Sequence, residues 1–274
     1  MPSLYGSHFS PELPYWQDYM PFLRRLAGPE FPTCAQLNAL LPEGLRSAGG
    51  PTIRLRTDDA LADDAYEHRI YTTGCVSTRS QNWHDLFNAL VWMRYPRIKA
   101  AMNSLHYHAA PVYKSGARGP LRDALTLFDE CGVVVLSDRM DLLAALAQRR
   151  WLDAFQADAF ETSIMLPVIG HAMLEKYLSP YKAMTANALL VQVKPDFMAL
   201  PRERRLLRFD REIAKQMLAG QVLNTPACLS PLPLAGVPGW WPREQQNDDR
   251  FYTDRDVFRT PPAALTPAPI HRLD

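Results

Sequence analysis

The sequence predicts an α+β protein: a single domain of mixed helices and a small, largely antiparallel sheet, wrapped by a Pro- and aromatic-rich C-terminal segment. Three observations predict it. Apolar residues recur at helical spacing in several segments, and short β-branched runs fall between them without the regular alternation of a doubly wound sheet. With 274 residues, 47% of them hydrophobic, the chain can bury a large core without metal or disulfide staples. It shows neither a tandem repeat at solenoid periods nor an apolar run of bilayer length.

Residues 1–60 read as a helical packing segment, with helices at "PYWQDYMPFLRRLA" and "TCAQLNALL", joined onward through "RSAGGPTIRL". An α+β core is expected over 61–222. The acidic, turn-rich "TDDALADDA" leads into "YEHRIYTTGCV", whose β-branched and aromatic residues suggest a strand. A helix follows in "NWHDLFNALVW", with Ser80 as its N-cap and Pro96 to stop or kink it. "DALTLFDECGVVVLSD" has two readings: an amphipathic helix from Leu121 to Glu130, or a hairpin pairing "ALTLF" with "VVVL" around a Glu-Cys-Gly turn. Three valines after a glycine favour the hairpin. "DRMDLLAALAQRRWLDAF" reads as one amphipathic helix with Met140, Leu143, Leu146, Ala147, Trp151 and Phe155 on its core side. A helix near "GHAMLEKYL", a strand at "ALLVQVKP" and a helix at "RERRLLRFDREIAKQML" complete the core. Residues 223–274 are rich in proline yet carry Trp240, Trp241, Phe251, Tyr252 and Phe258, so an ordered wrap is expected, with "TPAPIHRLD" frayed at its end.

Composition narrows the function classes. Thirty basic against 29 acidic residues leave a net charge of +1, so no global field steers the chain toward nucleic acid or anionic membrane. Cys34, Cys75, Cys131 and Cys228 are far apart and form no C-x-x-C pair, which argues against a zinc ribbon or a thioredoxin-like motif and suits four free thiols. The stretch "MPSLYGSHFSPELPYWQDYM" has no basic n-region or apolar h-region, so a cytoplasmic protein without a membrane partner is expected.

The helix in "NWHDLFNALVW" poses the functional question. At about 100° per residue, Gln81, His84, Asp85, Asn88 and Trp92 share one arc, and Trp83, Leu86, Phe87, Ala89, Leu90 and Met93 fill the other. A solvent face built of long charged side chains is absent, so the polar arc must be covered by protein or by ligand. A covered Asp must then be paired or bound to a metal. Both a buried hydrogen-bond network and a functional site satisfy this condition.

"RDALTLFDE" supplies Arg122, Asp123, Thr126, Asp129 and Glu130, of which Glu130, next to Cys-Gly, reads as a solvated hairpin tip. Carboxylates near a His can hold Mg²⁺ or Mn²⁺ or act as an acid and base pair. His171 and Glu175 stand at i and i+4 on one helix face, and His106 and His108 would share a face if extended. Adjacent His84 and Asp85 are similar to the metal-ligating doublet of HD-type phosphohydrolases, without a matching upstream His or downstream Asp. No P-loop, dinucleotide fingerprint, G-x-S-x-G elbow or H-E-x-x-H motif occurs.

Several longer motifs occur in order: "TRSQNWHDLFNALVWMRYPRIKAAMN", "RDALTLFDECGVVV", "GHAMLEKYL", "PLPLAGVPGWWP" and "FYTDRDVFR". Over roughly residues 65 to 260 the chain thereby resembles a bacterial family known as domain of unknown function 3025. The resemblance implies a proteobacterial source and a single domain, and carries no catalytic residues across.

The residues themselves point to a metal-dependent hydrolase of a phosphoester or related small anionic substrate. His84, Asp85, Asp123 and His171 are the expected catalytic groups, and Arg79, Asn88, Arg122 and Trp240 the expected substrate contacts. His84, Asp85, Asp123 and Asp129 are expected to ligate a divalent ion, Mg²⁺, Mn²⁺ or Zn²⁺. The alternative is a non-catalytic binding or scaffold protein with a buried polar network. A third option, a nucleic-acid enzyme or binder, rests on Arg204, Arg208, Arg211 and Lys215, a stripe that Glu203, Asp210 and Glu212 neutralise locally.

Overall fold

A computed structural model of the chain describes residues 13–57, 63–109, 119–155, 159–264 and 266–273. Much of the acidic stretch, residues 58–62, lies outside them. Thirteen α-helices and seven strands in two small sheets make up the regular structure of the described residues, an α+β architecture. No helix among them is long and apolar enough to cross a membrane.

The N-terminal segment carries two short helices, α1 (Met20–Arg25) and α2 (Cys34–Asn38), the second opened by a capping box between Thr33 and Gln36. Strand β1 (Arg54–Arg56), helix α3 (Asp63–Thr73) and strand β2 (Cys75–Ser77) form a parallel pair with a helical crossover. Most of the strand expected in "YEHRIYTTGCV" is therefore helix. Its β-branched residues are tolerated because the Thr72 and Thr73 hydroxyls donate back to the carbonyls of His68 and Arg69, while Ile70 is buried in the core. Gly74, at φ 73°, ends the helix where a Cβ would strike the Thr52 carbonyl oxygen.

Helix α4 (Trp83–Arg94) is buried on all sides from Asp85 to Met93, which explains why its polar arc has no long charged coat. Asn82 rather than Ser80 caps it, accepting from the Asp85 amide. Tyr95 breaks the helical path and Pro96 opens α5 (Pro96–Ala109).

The hairpin expected after Leu121 is instead a helix, α6 (Gly119–Cys131), running directly into strand β3 (Gly132–Ser137). Ala124, Leu125 and Phe128 bury one helical face, and the valines express their β preference only past Gly132. There a Cβ would overlap the Phe128 carbonyl oxygen, so the Glu-Cys-Gly sequence marks a helix-to-strand junction, not a turn. The single helix expected from Asp138 to Phe155 breaks at Arg149 (φ 55°) into α7 (Met140–Ala147) and α8 (Trp151–Phe155), and Met140, expected in the core, is exposed.

After α9 (Ala159–Ser163) come β4 (Ile164–Met165), α10 (His171–Lys176), β5 (Thr185–Val193), α11 (Pro195–Ala199), α12 (Arg202–Leu218), β6 (Ser230–Pro233), α13 (Arg243–Gln246) and β7 (Ile270–Leu273). The main sheet is mixed, not largely antiparallel. β3 runs parallel to β5 with Val134 opposite Leu189, and β4 lies antiparallel on the other edge of β3. On the far side of β5, β6 pairs antiparallel with its first half and β7 pairs parallel with its second. The chain end expected to fray thus supplies an edge strand, because Leu273 is buried and the backbone of β5 has bonds to offer there.

Helix α12 lies along α5, and its buried Asp210 caps the latter by accepting from the amides of Arg97 (3.2 Å) and Ile98 (3.0 Å). Burial pushes this carboxyl up to about 6, against the pull of the two amides and of Arg97. The folded protein therefore keeps a proton that the unfolded chain loses near 3.8, so stability falls as pH rises from about 4 to 6 and is level above that, a difference of about 3 kcal/mol from this group. Asp210→Asn, which keeps an acceptor for the amides, is expected to flatten that slope in urea melts and to be no less stable than the parent at pH 8. Marked destabilisation of the variant at pH 8 would mean that the ionised cap gains more from the helix end than burial costs it.

Candidate active site

Helices α3, α4, α5, α6 and α10, with β2 and the turn after it, enclose a cleft of about 340 Å³. Its polar lining includes Tyr66, Arg79, His84, Asn88, His106, Arg122, Asp129, Glu130 and His171. Residues separated by a hundred positions in the chain thus meet in one space.

At one end, α4 and α10 cross so that His84 and His171 point Nε2 at Nε2, 2.8 Å apart, with their rings edge to face. Glu130, at the last turn of α6, brings Oε1 to 3.8 Å from His171 Nε2. Donor atoms of His84, Glu130 and His171 all lie within 4.8 Å of one another. Two imidazole lone pairs cannot face each other at 2.8 Å, so a proton or a metal ion must lie between them. Metal bonds of about 2.0–2.1 Å at a right angle separate two ligand nitrogens by about 2.9 Å, close to the observed spacing.

The outer contacts decide which cation fits better. His84 Nδ1–H donates to Glu175 Oε2 at 3.0 Å, which leaves its Nε2 as the bare nitrogen. Without a metal and with both rings neutral, His171 Nε2 carries the shared proton and its buried Nδ1 is a lone pair facing the Asp129 carboxylate at 3.8 Å; a second proton on the pair would place an N–H there instead. A metal at the two Nε2 atoms would let His171 carry its proton on Nδ1, toward Asp129. Both histidines would then have the carboxylate–imidazole–metal arrangement usual for metal-bound histidine.

Asp129 itself is held by Lys99, whose Nζ lies 2.6 Å from Oδ1. Burial alone would raise this carboxyl; the Lys99 ammonium and then His171 outweigh it and hold it well below the ordinary carboxylate range. Asp129 therefore stands behind His171, where direct metal ligation was expected.

Asp85 was also expected to bind metal; it lines the same cleft, outside the group of converging donor atoms, with both oxygens taken by Arg79. Its Oδ2 accepts from the Arg79 amide (2.6 Å) and Nε (2.9 Å), and its Oδ1 from Nη2 (2.8 Å). Burial opposes its charge, but these bonds keep the carboxyl below its usual value. Arg79 lines the cleft with its Nε and one Nη2 hydrogen given to Asp85, which leaves the Nη1 side of the guanidinium to face the cleft. Asp123 is exposed on α6, beside the arc of Arg122, Thr126, Asp129 and Glu130 that lines the cleft. Trp240 packs edge-on against Tyr15 and Tyr177, away from the cleft lining. Asn88 does line it, donating from Nδ2 to the Tyr66 hydroxyl at 2.9 Å.

Of the residues expected at the site, Arg79, His84, Asp85, Asn88, Arg122, Asp129 and His171 line this one cleft. Residue reasoning treated Glu130 as a hairpin tip and assigned Glu175 to its helix neighbour His171. The helical alternative for "RDALTLFDE" was the signal that could have recovered Glu130, since Arg122, Thr126, Asp129 and Glu130 then share one face. His106 and His108, expected on one face of an extended segment, lie on α5, where only His106 lines the cleft. None of Arg204, Arg208, Arg211 and Lys215 lines it, so the basic stripe does not border the site.

Residues 54–261 match the family described as "Protein of unknown function (DUF3025)". The chain belongs to the DUF3025 family. The match spans β1 to the segment beyond α13 and so contains every cleft residue named above. No curated protein and no solved structure is significantly similar to the chain.

Proposed function

We propose that this DUF3025 protein is a metal-dependent hydrolase of a phosphoester or related small anionic substrate. The observation that carries this reading is the convergence of His84, Glu130 and His171 donor atoms at the wall of an open cleft. A divalent ion held there supplies positive charge for phosphoryl oxygens. Arg79 pairs with Asp85 and Lys99 with Asp129, so the positive charge that a phosphoryl oxygen would meet is that of the ion held by His84, Glu130 and His171. In the reaction, water adds to phosphorus, the ester P–O bond breaks, and the proton lost by water ends on the leaving oxygen.

A second reading, a non-catalytic protein with a buried polar network, draws on the same cleft: Arg79–Asp85 and Lys99–Asp129 are already mutually satisfied. Hydrolysis of p-nitrophenyl phosphate by metal-stripped protein, supplied in turn with Mg²⁺, Mn²⁺ and Zn²⁺, separates the two. Metal-dependent turnover that drops at least about 100-fold in Glu130→Gln, with folding unchanged, is the expected outcome. Absence of turnover with every metal, or turnover indifferent to Glu130, would favour the network.

A further inference from the structure

Helix α7 ends in a Schellman motif: the Arg149 amide donates to the Leu146 carbonyl at 3.0 Å and the Arg150 amide to the Ala145 carbonyl at 2.9 Å. Such an ending needs one residue in the left-handed region, usually a glycine, and here Arg149 holds it at φ 55°. The chain thus carries a long cationic side chain where none is needed to end the helix. Arg149 lines two cavities that share no residue with the cleft.

The smaller cavity, of about 170 Å³, brings Arg149 and Arg259 together with Trp151, Thr185 and two prolines of β6. Its lining holds two cations and no carboxylate. The Trp151 indole N–H donates to the Arg259 carbonyl at 3.0 Å, which fixes the backbone from which the second guanidinium departs. Neither guanidinium has a hydrogen bond or ion pair with a described residue, and the Nε of Arg149 is buried without an acceptor. A donor withdrawn from water in this way costs free energy that a ligand oxygen would restore. The next residue, Arg150, differs in being engaged by Gln148 and Asp153.

We propose that Arg149 and Arg259 form a second anion site, for a phosphate group, either the free ion or that of a small monoester. Two guanidinium groups without a carboxylate balance a dianion, whereas a carboxylate ligand would leave one charge uncompensated. At about 30 Å³ for each water-sized oxygen, the four oxygens of a phosphate fit within the cavity. The larger cavity, of about 430 Å³, shares Arg149 and Pro231 with the smaller one, also has no carboxylate, and leaves room for the organic part of an ester. This site does not depend on the hydrolase reading.

Titration calorimetry at pH 8 and constant ionic strength compares inorganic phosphate, methyl phosphate and acetate, using metal-stripped protein so that no ion in the cleft attracts them. At least one of the two phosphates is expected to bind with a dissociation constant below about 1 mM, and at least about tenfold more tightly than acetate. Arg149→Gly suits the left-handed backbone and should be no less stable than the parent. It and Arg259→Ala should each weaken phosphate binding at least about tenfold, while Arg150→Ala, which removes an equal charge outside the cavity, should change it by about twofold or less. Methyl phosphate bound as tightly as inorganic phosphate, or more tightly, assigns the site to a monoester; a preference for inorganic phosphate assigns it to the free ion. The site is overturned if neither phosphate binds below about 10 mM, if acetate binds as well as phosphate, or if binding survives in both Arg149→Gly and Arg259→Ala.

Discussion

Metal-stripped protein is expected to melt about 5 °C higher when Mn²⁺ or Zn²⁺ is added at about 100 times its dissociation constant, and His84→Ala to show no such rise. A ligand that binds only the folded state stabilises it by about 2.7 kcal/mol at that concentration. His84 offers its bare Nε2 because Glu175 holds the proton on Nδ1, so Ala removes a ligand whose tautomer is already set. Because His84 is partly exposed, its removal costs His171 one hydrogen bond at the wall of an open cleft, and the variant should still fold. Glu175→Gln keeps all three candidate ligands and is expected to weaken metal binding about 10- to 100-fold. A rise that is the same in wild type and His84→Ala would put the metal elsewhere. No rise with any metal would leave a shared proton as the bond between the histidines.

Lys99→Met is expected to be the most destabilising substitution near the cleft, at about 3–5 kcal/mol. The Lys99 and Asp129 side chains are 6% and 17% exposed, so removing the ammonium leaves a mostly buried carboxylate without its counter-ion. Lys99 also sits 5.7 Å from the Trp92 ring centroid, a contact that Met keeps only as packing. Replacing both partners in Lys99→Met/Asp129→Leu should recover most of the loss, since two apolar side chains carry no unpaired charge. The pH dependence follows from the same pair. With its folded carboxyl held well below the ordinary range, Asp129 contributes stability above the unfolded value of 3.8 and loses it as pH falls below that. Urea titrations from pH 2 to 7 on the wild type and the double variant would reveal this as an acid-side slope steeper in the former, since Asp85 and Glu203 contribute to both. Equal stabilities for Lys99→Met and wild type at pH 7 would show that water reaches Asp129 and that the pair is not structurally required.

How far the sequence reaches depends on the range of the interaction that decides each feature. Periodicity is local, so the two-sided burial of α4, the amphipathic α12 and the apolar strand β5 are legible in their own residues. The absence of long charged side chains from the polar arc of α4 was enough to mark His84, Asp85 and Asn88 as covered. Where local preferences compete, reading the chain alone fails. Three valines argue for a hairpin, yet α6 persists to Cys131 because Phe128, Leu125 and Ala124 have a core to fill and Gly132 permits the close junction.

The partners of the polar groups were decided by tertiary structure alone. Glu175 lies one helical turn from His171 but bonds His84, 91 positions away. Lys99 lies within one of the family motifs but stood in no list of candidate site residues, yet it holds the charge of Asp129. Asp85, adjacent to a candidate ligand, is claimed by Arg79 in the preceding turn. The residues alone determined which helices carry a covered polar face, because burial of a face follows from side-chain spacing. Which carboxylate meets which imidazole was decided only by the crossing of α4, α6 and α10, because hydrogen bonds and ion pairs act over a few ångströms that chain separation does not encode.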